Sequence, residues 1–429
     1  MAGMQTLFID EYVWVLDPGA EMLGPVDDGA KIVALTPPGC WGPIITPDFP
    51  SGHEVTRPVA IEGAGVGDSL ILRIESVGIV SRATTSGTHE VDPACVSGDP
   101  FVDKTCPHCG TVNPKSVVVG TGPGSIRCAV CQTPVQSCVL SCGYTVFFNE
   151  DRSGGLTIGP DALEWARKNA ARLSALPRNS TQHSANLIAS ADVPGVYART
   201  RPMIGNIGTL PSCVVPACHN AGDIGPLLKD NKSRFALEDL EITKLTDAHM
   251  DCNEVEAGTI LVVPVRVPGG GLYLGDVHAM QSDGEIAGHT TDVTALVTLT
   301  VRVLKGFTVP GPVLFPRPDR IPDLARPLTS REEAVAEKLA ACTGARRDGS
   351  SLPLQVIGSG RTINAAVASG MERLSSLTGM PVEEVLNRVT ISGGLEIARL
   401  PGVAQVTARI PERAYPEPLW RIALSAYGQ

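Results

Sequence analysis

Gly275-Asp276-Val277-His278-Ala279-Met280-Gln281-Ser282-Asp283-Gly284-Glu285 gathers three carboxylates and an imidazole into one short segment punctuated by glycines. The run before it, Thr259-Ile260-Leu261-Val262-Val263-Pro264-Val265, is apolar and β-branched, which suits a buried strand. If the segment begins extended, a period of two puts Asp276 and His278 on one face and Val277 on the other. Asp283 and Glu285 repeat the same spacing after the turn. Carboxylates and an imidazole converging beside a glycine turn suit a hard or borderline divalent metal together with a general base. The alternative is a solvated acidic loop with His278 at the surface.

A second constellation lies upstream. Cys106-Pro107-His108-Cys109 and Cys128-Ala129-Val130-Cys131 are two CxxC knuckles joined by a Gly/Pro-rich segment. Four thiolates at that spacing form a closed tetrahedral site, so Cys106, Cys109, Cys128 and Cys131 are expected to hold a structural Zn2+. An iron–sulfur site, a redox pair or buried free thiols are the competing readings. His108 falls inside a knuckle and reads as a turn residue.

The elements that position these groups are mostly strands. The chain has 429 residues, only 4% aromatic and 19% charged, with 45 Gly and 35 Pro, a composition of many short strands and turns. Lys31–Leu35, Ser69–Ile74 and Leu296–Val303 read as strands, the last by clear alternation. A helix is expected over 160–175, where proline opens the segment and a carboxylate follows in the first turn. After residue 311 the pattern becomes mixed. Helices are expected from Ser330 with a capping-box pattern, from Asn364 to Leu377, and from Pro381, with strands near Leu395–Ala398 and Val406–Ile410. The expected organisation is an N-terminal β half (1–94), an inserted zinc-ribbon-like segment (95–145), a second β half carrying the acidic segment (146–310) and a C-terminal α+β region (311–429). A net charge of −10 argues against nucleic acid or an anionic membrane as partner. With no long apolar run and no basic leader followed by an apolar core, a cytoplasmic protein is expected.

Several segments together resemble the acetamidase/formamidase family of amide hydrolases. Its GD-x-HA-x-x-x-DGE run is matched by Gly275-Asp276, His278-Ala279 and Asp283-Gly284-Glu285. Pro58-Val59-Ala60-Ile61-Glu62-Gly63-Ala64-Gly65-Val66-Gly67-Asp68 resembles the family's GP-x-x-V-x-GA-x-PGD segment, and His53 stands close to a histidine the family carries before it. Met203-Ile204-Gly205-Asn206-Ile207-Gly208 resembles a glycine-paired IG-x-IG stretch. Ala248-His249-Met250-Asp251, with Gly258-Thr259 and Val263-Pro264-Val265, is similar to a GGNMD…GT…LPV pattern. The resemblance implies a mainly β fold with jelly-roll-like, sandwich-type halves, hydrolysis of small linear carboxamides to acid and ammonia, and homo-oligomers. There are departures. Asp247-Ala248-His249 replaces the GGN triplet, Ser282 replaces a glycine, and 95–142 and about 217–246 look inserted.

Amide hydrolysis needs a strong nucleophile, a stabilised oxyanion and a proton for the leaving amine. On residue types and spacing, His53, Asp251, Asp276 and His278 are expected to hold a divalent active-site metal, Zn2+ first among the candidates. Glu285 is the expected acid/base, and Asp283 is expected to orient His278 or the water from behind. His249 reads as a space-filling residue, and His219 as part of the second insertion. A competing mechanism uses Cys252 as a nucleophile, with His249 three residues away. A hydrolase of carbamates, ureas or lactams, or a non-catalytic assembly protein on the same fold, are the other readings.

Overall fold

The computed structural model describes residues 4–39, 53–90, 96–97, 99–119, 124, 126–135, 139–162, 164–165, 168–169, 193–217 and 245–428. Alternation sets its main feature, a nine-stranded sheet in the order Thr6–Ile9, Lys31–Thr36, Ala295–Leu304, Ser69–Ile79, Ile260–Pro264, Val313–Phe315, Ser351–Ser359, Val403–Pro411, Gly393–Arg399. Only the first pair is parallel. In Ala295–Leu304, Val297, Leu299 and Val301 are buried while Leu296 and Arg302 face out, as period two requires.

Ile260–Pro264 is buried at every position because it serves two cores. Leu261 and Val263 join a core with Ile32, Leu70, Leu72 and Leu299, whereas Ile260 and Val262 join a second with Phe315, Leu354, Leu374 and Trp420. Burying each such side chain contributes about 1.5–3 kcal/mol relative to exposure. The second core is roofed by three helices, α2 (Ile363–Thr378), α3 (Val382–Ser392) and α4 (Glu417–Tyr427), each with a buried stripe. Helix α1 (Ser330–Thr343) buries no residue. Its cap is Thr329, one residue before the expected start, whose side chain accepts from Glu332 N–H while Glu332 reaches back to it. The fold is thus mainly β with an α+β end region. Of the helix expected over 160–175, a 3-10 turn at Pro160–Ala162 and helical Glu164, Trp165, Lys168 and Asn169 are described, and the remainder lies outside the described residues.

A smaller sheet carries the acidic segment: Met203–Gly208, Tyr273–His278, Val55–Thr56, Tyr12–Val13. Ile204, Ile207, Leu274 and Val277 share the first core with the nine-stranded sheet, so the two sheets pack against each other. A third sheet joins Tyr197–Arg199, Gly154–Ile158, Val139–Phe148 and Ala83–Glu90, and the cysteine-rich segment lies between its last two strands in the chain. Among the described residues no helix is long and apolar enough to cross a membrane.

Candidate active site

The glycine-paired strand and the acidic strand lie side by side, with Met203 opposite His278 and Asn206 opposite Gly275. Gly205 has no side chain for a local reason. A Cβ there would collide with Asp251 Oδ1 and come within 2.7 Å of the Asp276 carbonyl oxygen. Met250 and Asp251 both donate backbone N–H to the Gly205 carbonyl, at 2.9 and 3.0 Å, which holds the 248–251 loop against the strand. On the other flank Ala279 N–H donates to Thr291 O at 2.8 Å and Val293 N–H to Val277 O at 2.9 Å, which brings Asp292 beside His278.

Three carboxylates and two imidazoles meet where these segments cross. His249 Nε2 lies 3.0 Å from Asp276 Oδ2 and 3.2 Å from Asp251 Oδ2. His278 Nε2 lies 3.3 Å from both Asp276 Oδ1 and Asp292 Oδ1. His249 is the most exposed of the five, at 4%. The ligand atoms fall into two groups, His249/Asp251/Asp276 and Asp276/His278/Asp292, each within 4.8 Å and sharing Asp276.

The imidazole tautomer follows from Gln281. Its Nε2 donates to the carbonyl oxygens of Asp251 at 2.7 Å and Ala398 at 3.3 Å, so its Oε1 is the acceptor facing His278 Nδ1 at 2.7 Å. Nδ1 therefore donates to Gln281, and Nε2 is the nitrogen turned toward the carboxylates. Burial opposes protonation, but Asp276 and Asp292 hold this imidazole well above its ordinary range, so a bound ion would take the place of the Nε2 proton. Gln281 thus makes the orienting contact expected of Asp283. Asp283 is exposed and accepts from Asn253 Nδ2 at 2.9 Å instead.

A cation fits this donor set. Asp251 Oδ1, Asp276 Oδ1 and both Asp292 oxygens are buried without a hydrogen-bond donor among the described residues. Arg399, with Nε 2.8 Å from Asp251 Oδ2, is the arginine paired to these carboxylates. Several buried negative charges with open lone pairs cost several kcal/mol each unless compensated. The backbone is also strained here. Asp247, Asp251, Asp276 and Glu285 all have positive φ, from 43° to 55°, at about 1–3 kcal/mol each. Asp251 and Asp276 are ligand-group members and Glu285 lies beside them, so this strain falls at a site that the surrounding packing holds in place.

Glu285 follows Gly284, whose N–H donates to Ile397 O and whose carbonyl accepts from Leu400 N–H, tying this turn to the C-terminal strand that bears Arg399. Glu285 is buried, and its carboxyl is pushed up to about 8 by burial and by repulsion from Asp251, only partly offset by His278 and Arg399. It lines a cleft of about 460 Å3 with Tyr144, Gln281 and His289.

The remaining expectations sort as follows. His53 belongs to neither ligand group; its ring lies 5.8 Å from that of His249. His249, read from sequence as space-filling, stands among the ligand atoms. Asp292 was not singled out, and Thr290-Thr291-Asp292 carries no motif that could have flagged it. Cys252 is fully buried, and burial followed by the Glu254 carboxylate pushes its thiol well above the ordinary range, the reverse of an activated nucleophile. His219 lies outside the described residues.

In the cysteine-rich segment, Cys106, Cys109, Cys128 and Cys131 bring their sulfurs within 4.8 Å of one another, with no disulfide among them. The two knuckles match. Cys106 N–H donates to Thr111 O and Cys128 N–H to Thr133 O, while Gly110 and Gln132 take left-handed φ.

The acetamidase/formamidase family profile matches residues 40–384. The chain belongs to that family. It is an amidase, and its chemistry is amide hydrolysis. No curated protein matches the chain. Among solved structures, a predicted acetamidase/formamidase from Thermoanaerobacter tengcongensis is similar with a TM-score of 0.54 and 16% identity, covering 99% of this chain and 98% of that one. An acetamidase from Bacillus halodurans matches with a TM-score of 0.53 and 15% identity over 94% and 97% of the two chains. One from Yersinia enterocolitica matches with a TM-score of 0.54 and 14% identity over 95% and 92%. At such identities these likenesses speak to the fold.

Proposed function

We propose that the protein hydrolyses a carboxamide to carboxylate and ammonia at a divalent-metal site with two compartments, Zn2+ being the first candidate. His249 and Asp251 would hold one ion and His278 and Asp292 the other, with Asp276 belonging to both ligand groups. The carrying observation is the pair of ligand groups sharing Asp276, with four buried carboxylate oxygens lacking donors. A divalent ion held there supplies Lewis acidity toward the amide carbonyl and makes water acidic enough to attack near neutral pH.

The chain's own groups do the rest. Glu285, buried beside the ligand cluster and lining the cleft, is placed to take the proton from the attacking water and return it to the departing nitrogen. Water adds its oxygen to the carbonyl carbon, the C–N bond breaks, and the amine leaves with that proton. Gln281 holds the His278 ring by Nδ1–H and keeps Nε2 aimed inward, where an ion would displace its proton. Arg399 steadies Asp251. The four cysteines would hold a separate, structural zinc, which supports the ribbon and takes no part in turnover.

The test is metal content per chain together with ammonia release from simple amides, on wild type and on His278→Ala. Wild type should carry active-site ions in addition to the ribbon zinc, and the variant should lose active-site metal and turnover together. A variant that loses no metal and still releases ammonia would overturn the assignment.

A further inference from the structure

The cleft that opens onto Glu285 is far larger than a formamide or acetamide molecule requires. At about 460 Å3 it falls in the range of sites built for ligands of drug-like size, about 300–1,000 Å3. Its lining is mixed. Gln281, Ser282, Glu285, His289 and Thr290 bring polar groups, and Glu285 is where the reacting carboxamide would sit. Tyr144, Met280, Ile286 and Ala287 supply the aromatic and apolar part. The rings of Tyr144 and His289 lie 6.2 Å apart and tilted by 35°. Thr291 Oγ1 donates to Tyr144 Oη at 3.4 Å, which ties the phenol to the segment bearing Asp292. Ile286 follows Glu285 directly and is 74% exposed, a large apolar side chain at the mouth of the cleft.

Tyr144 comes from the strand Val139–Phe148, opposite Ser86 on Ala83–Glu90. These two strands are the stem of the hairpin that carries the four-cysteine ribbon. Thr84 on the same stem hydrogen-bonds the carbonyl of Asp292. The insertion is therefore rooted at the active-site segment at two points, and one of them is an aromatic wall of the cleft.

We propose that the cleft selects carboxamides with a flat, apolar acyl group, of the aryl or arylalkyl class, and that Tyr144, delivered by the insertion hairpin, is the residue that sets this preference. The proposal rests on the hydrolytic reading above for the position of the amide, while the wall itself follows from the fold. An aromatic ring seated between Tyr144 and Ile286 gains buried apolar area and offset ring contact that an acetyl group cannot make.

The experiment uses the metal-loaded enzyme and measures kcat/KM for acetamide, hexanamide and phenylacetamide. In parallel, calorimetry measures binding of the products acetate and phenylacetate. Phenylacetamide should exceed acetamide by about tenfold or more, with hexanamide between them. Tyr144→Ala should cut the phenylacetamide-to-acetamide ratio about tenfold, and Tyr144→Phe should preserve it, since the ring rather than the hydroxyl forms the wall. Acetamide handled as well as phenylacetamide, or a ratio unmoved by Tyr144→Ala, overturns the proposal. If no amide is hydrolysed but phenylacetate binds more tightly than acetate and Tyr144→Ala removes the difference, the cleft assignment stands and the hydrolytic reading falls. If phenylacetate binds no tighter than acetate, the cleft assignment falls whatever the turnover.

Discussion

Asp276 Oδ2 lies 3.0 Å from Nε2 of His249. The other Asp276 oxygen lies 3.3 Å from His278 Nε2, so one carboxylate faces an imidazole on each side. An imidazole is a stronger ligand than an amide for borderline divalent ions. His249→Asn, which exchanges the imidazole for an amide, should therefore weaken the His249/Asp251/Asp276 compartment. Metal analysis after dialysis should show one ion fewer per chain, with the ribbon zinc retained. Unchanged stoichiometry and affinity would assign His249 to packing.

Gln281 orients His278 from outside the ligand set. Replacing it with leucine keeps the bulk and removes both the acceptor for Nδ1–H and the donor to the Asp251 carbonyl. Active-site metal affinity should fall by about 10–100-fold while the fold persists. Competition with a chelator reads this directly. The same titration on Asp283→Asn should show no comparable loss, because Asp283 faces solvent and Asn253.

On the acid/base role proposed for Glu285, Glu285→Gln should lower kcat by about 10²–10⁴-fold with metal content intact. The same group leaves a signature on the stability of metal-free protein. Its folded carboxyl is raised from 4.5 to about 8, so folding takes up a proton between those values. The stabilisation is fully present below pH 4.5 and is lost as pH rises through about 8. Urea unfolding in chelator across this window should show wild type losing stability relative to Glu285→Gln as pH increases. Parallel curves would remove Glu285 from the buried, proton-holding position.

Arg399 ties the C-terminal strand to the site through Asp251, at 2.8 Å with side-chain exposures of 10% and 2%. Removing the cation leaves a buried carboxylate without it, so Arg399→Met should cost about 3–5 kcal/mol in metal-free protein. Denaturant titration measures it. Added divalent metal should restore part of the loss, because the ion supplies the missing positive charge.

Cys252 touches Glu254 Oε2 with its sulfur at 3.6 Å and is buried in the first core. A thiol held above its ordinary range beside a carboxylate is a packing group. Cys252→Ala should retain turnover while losing some stability. Loss of all ammonia release in a folded, metal-loaded variant would reinstate the thiol mechanism.

Much of the architecture could be read along the chain. Leu296–Val303 alternates because one face of its sheet is buried, and the helices expected from Asn364 and Pro381 appear as Ile363–Thr378 and Val382–Ser392. Those signals are local, carried by side-chain period and end residues. The two CxxC knuckles are equally local, since each turn places its own pair of sulfurs. Asp276 and His278 share a face for the same reason.

The rest of the site was decided by which strands lie next to which. Asp292 is brought to His278 by backbone pairing between 277–279 and 291–293, and nothing in Thr290-Thr291-Asp292 announces it. His249 becomes a ligand candidate only because Gly205 lets its loop lie close to the acidic strand. Asp283, two residues from Glu285 in sequence, turns to solvent because Gly284 pairs with the C-terminal strand and swings the turn. Arg399 and Tyr144 reach the same region from distant parts of the chain. Residue types and short spacings thus determined the chemistry available to this amidase. Register between strands far apart in sequence, which no local period encodes, decided which of those groups meet.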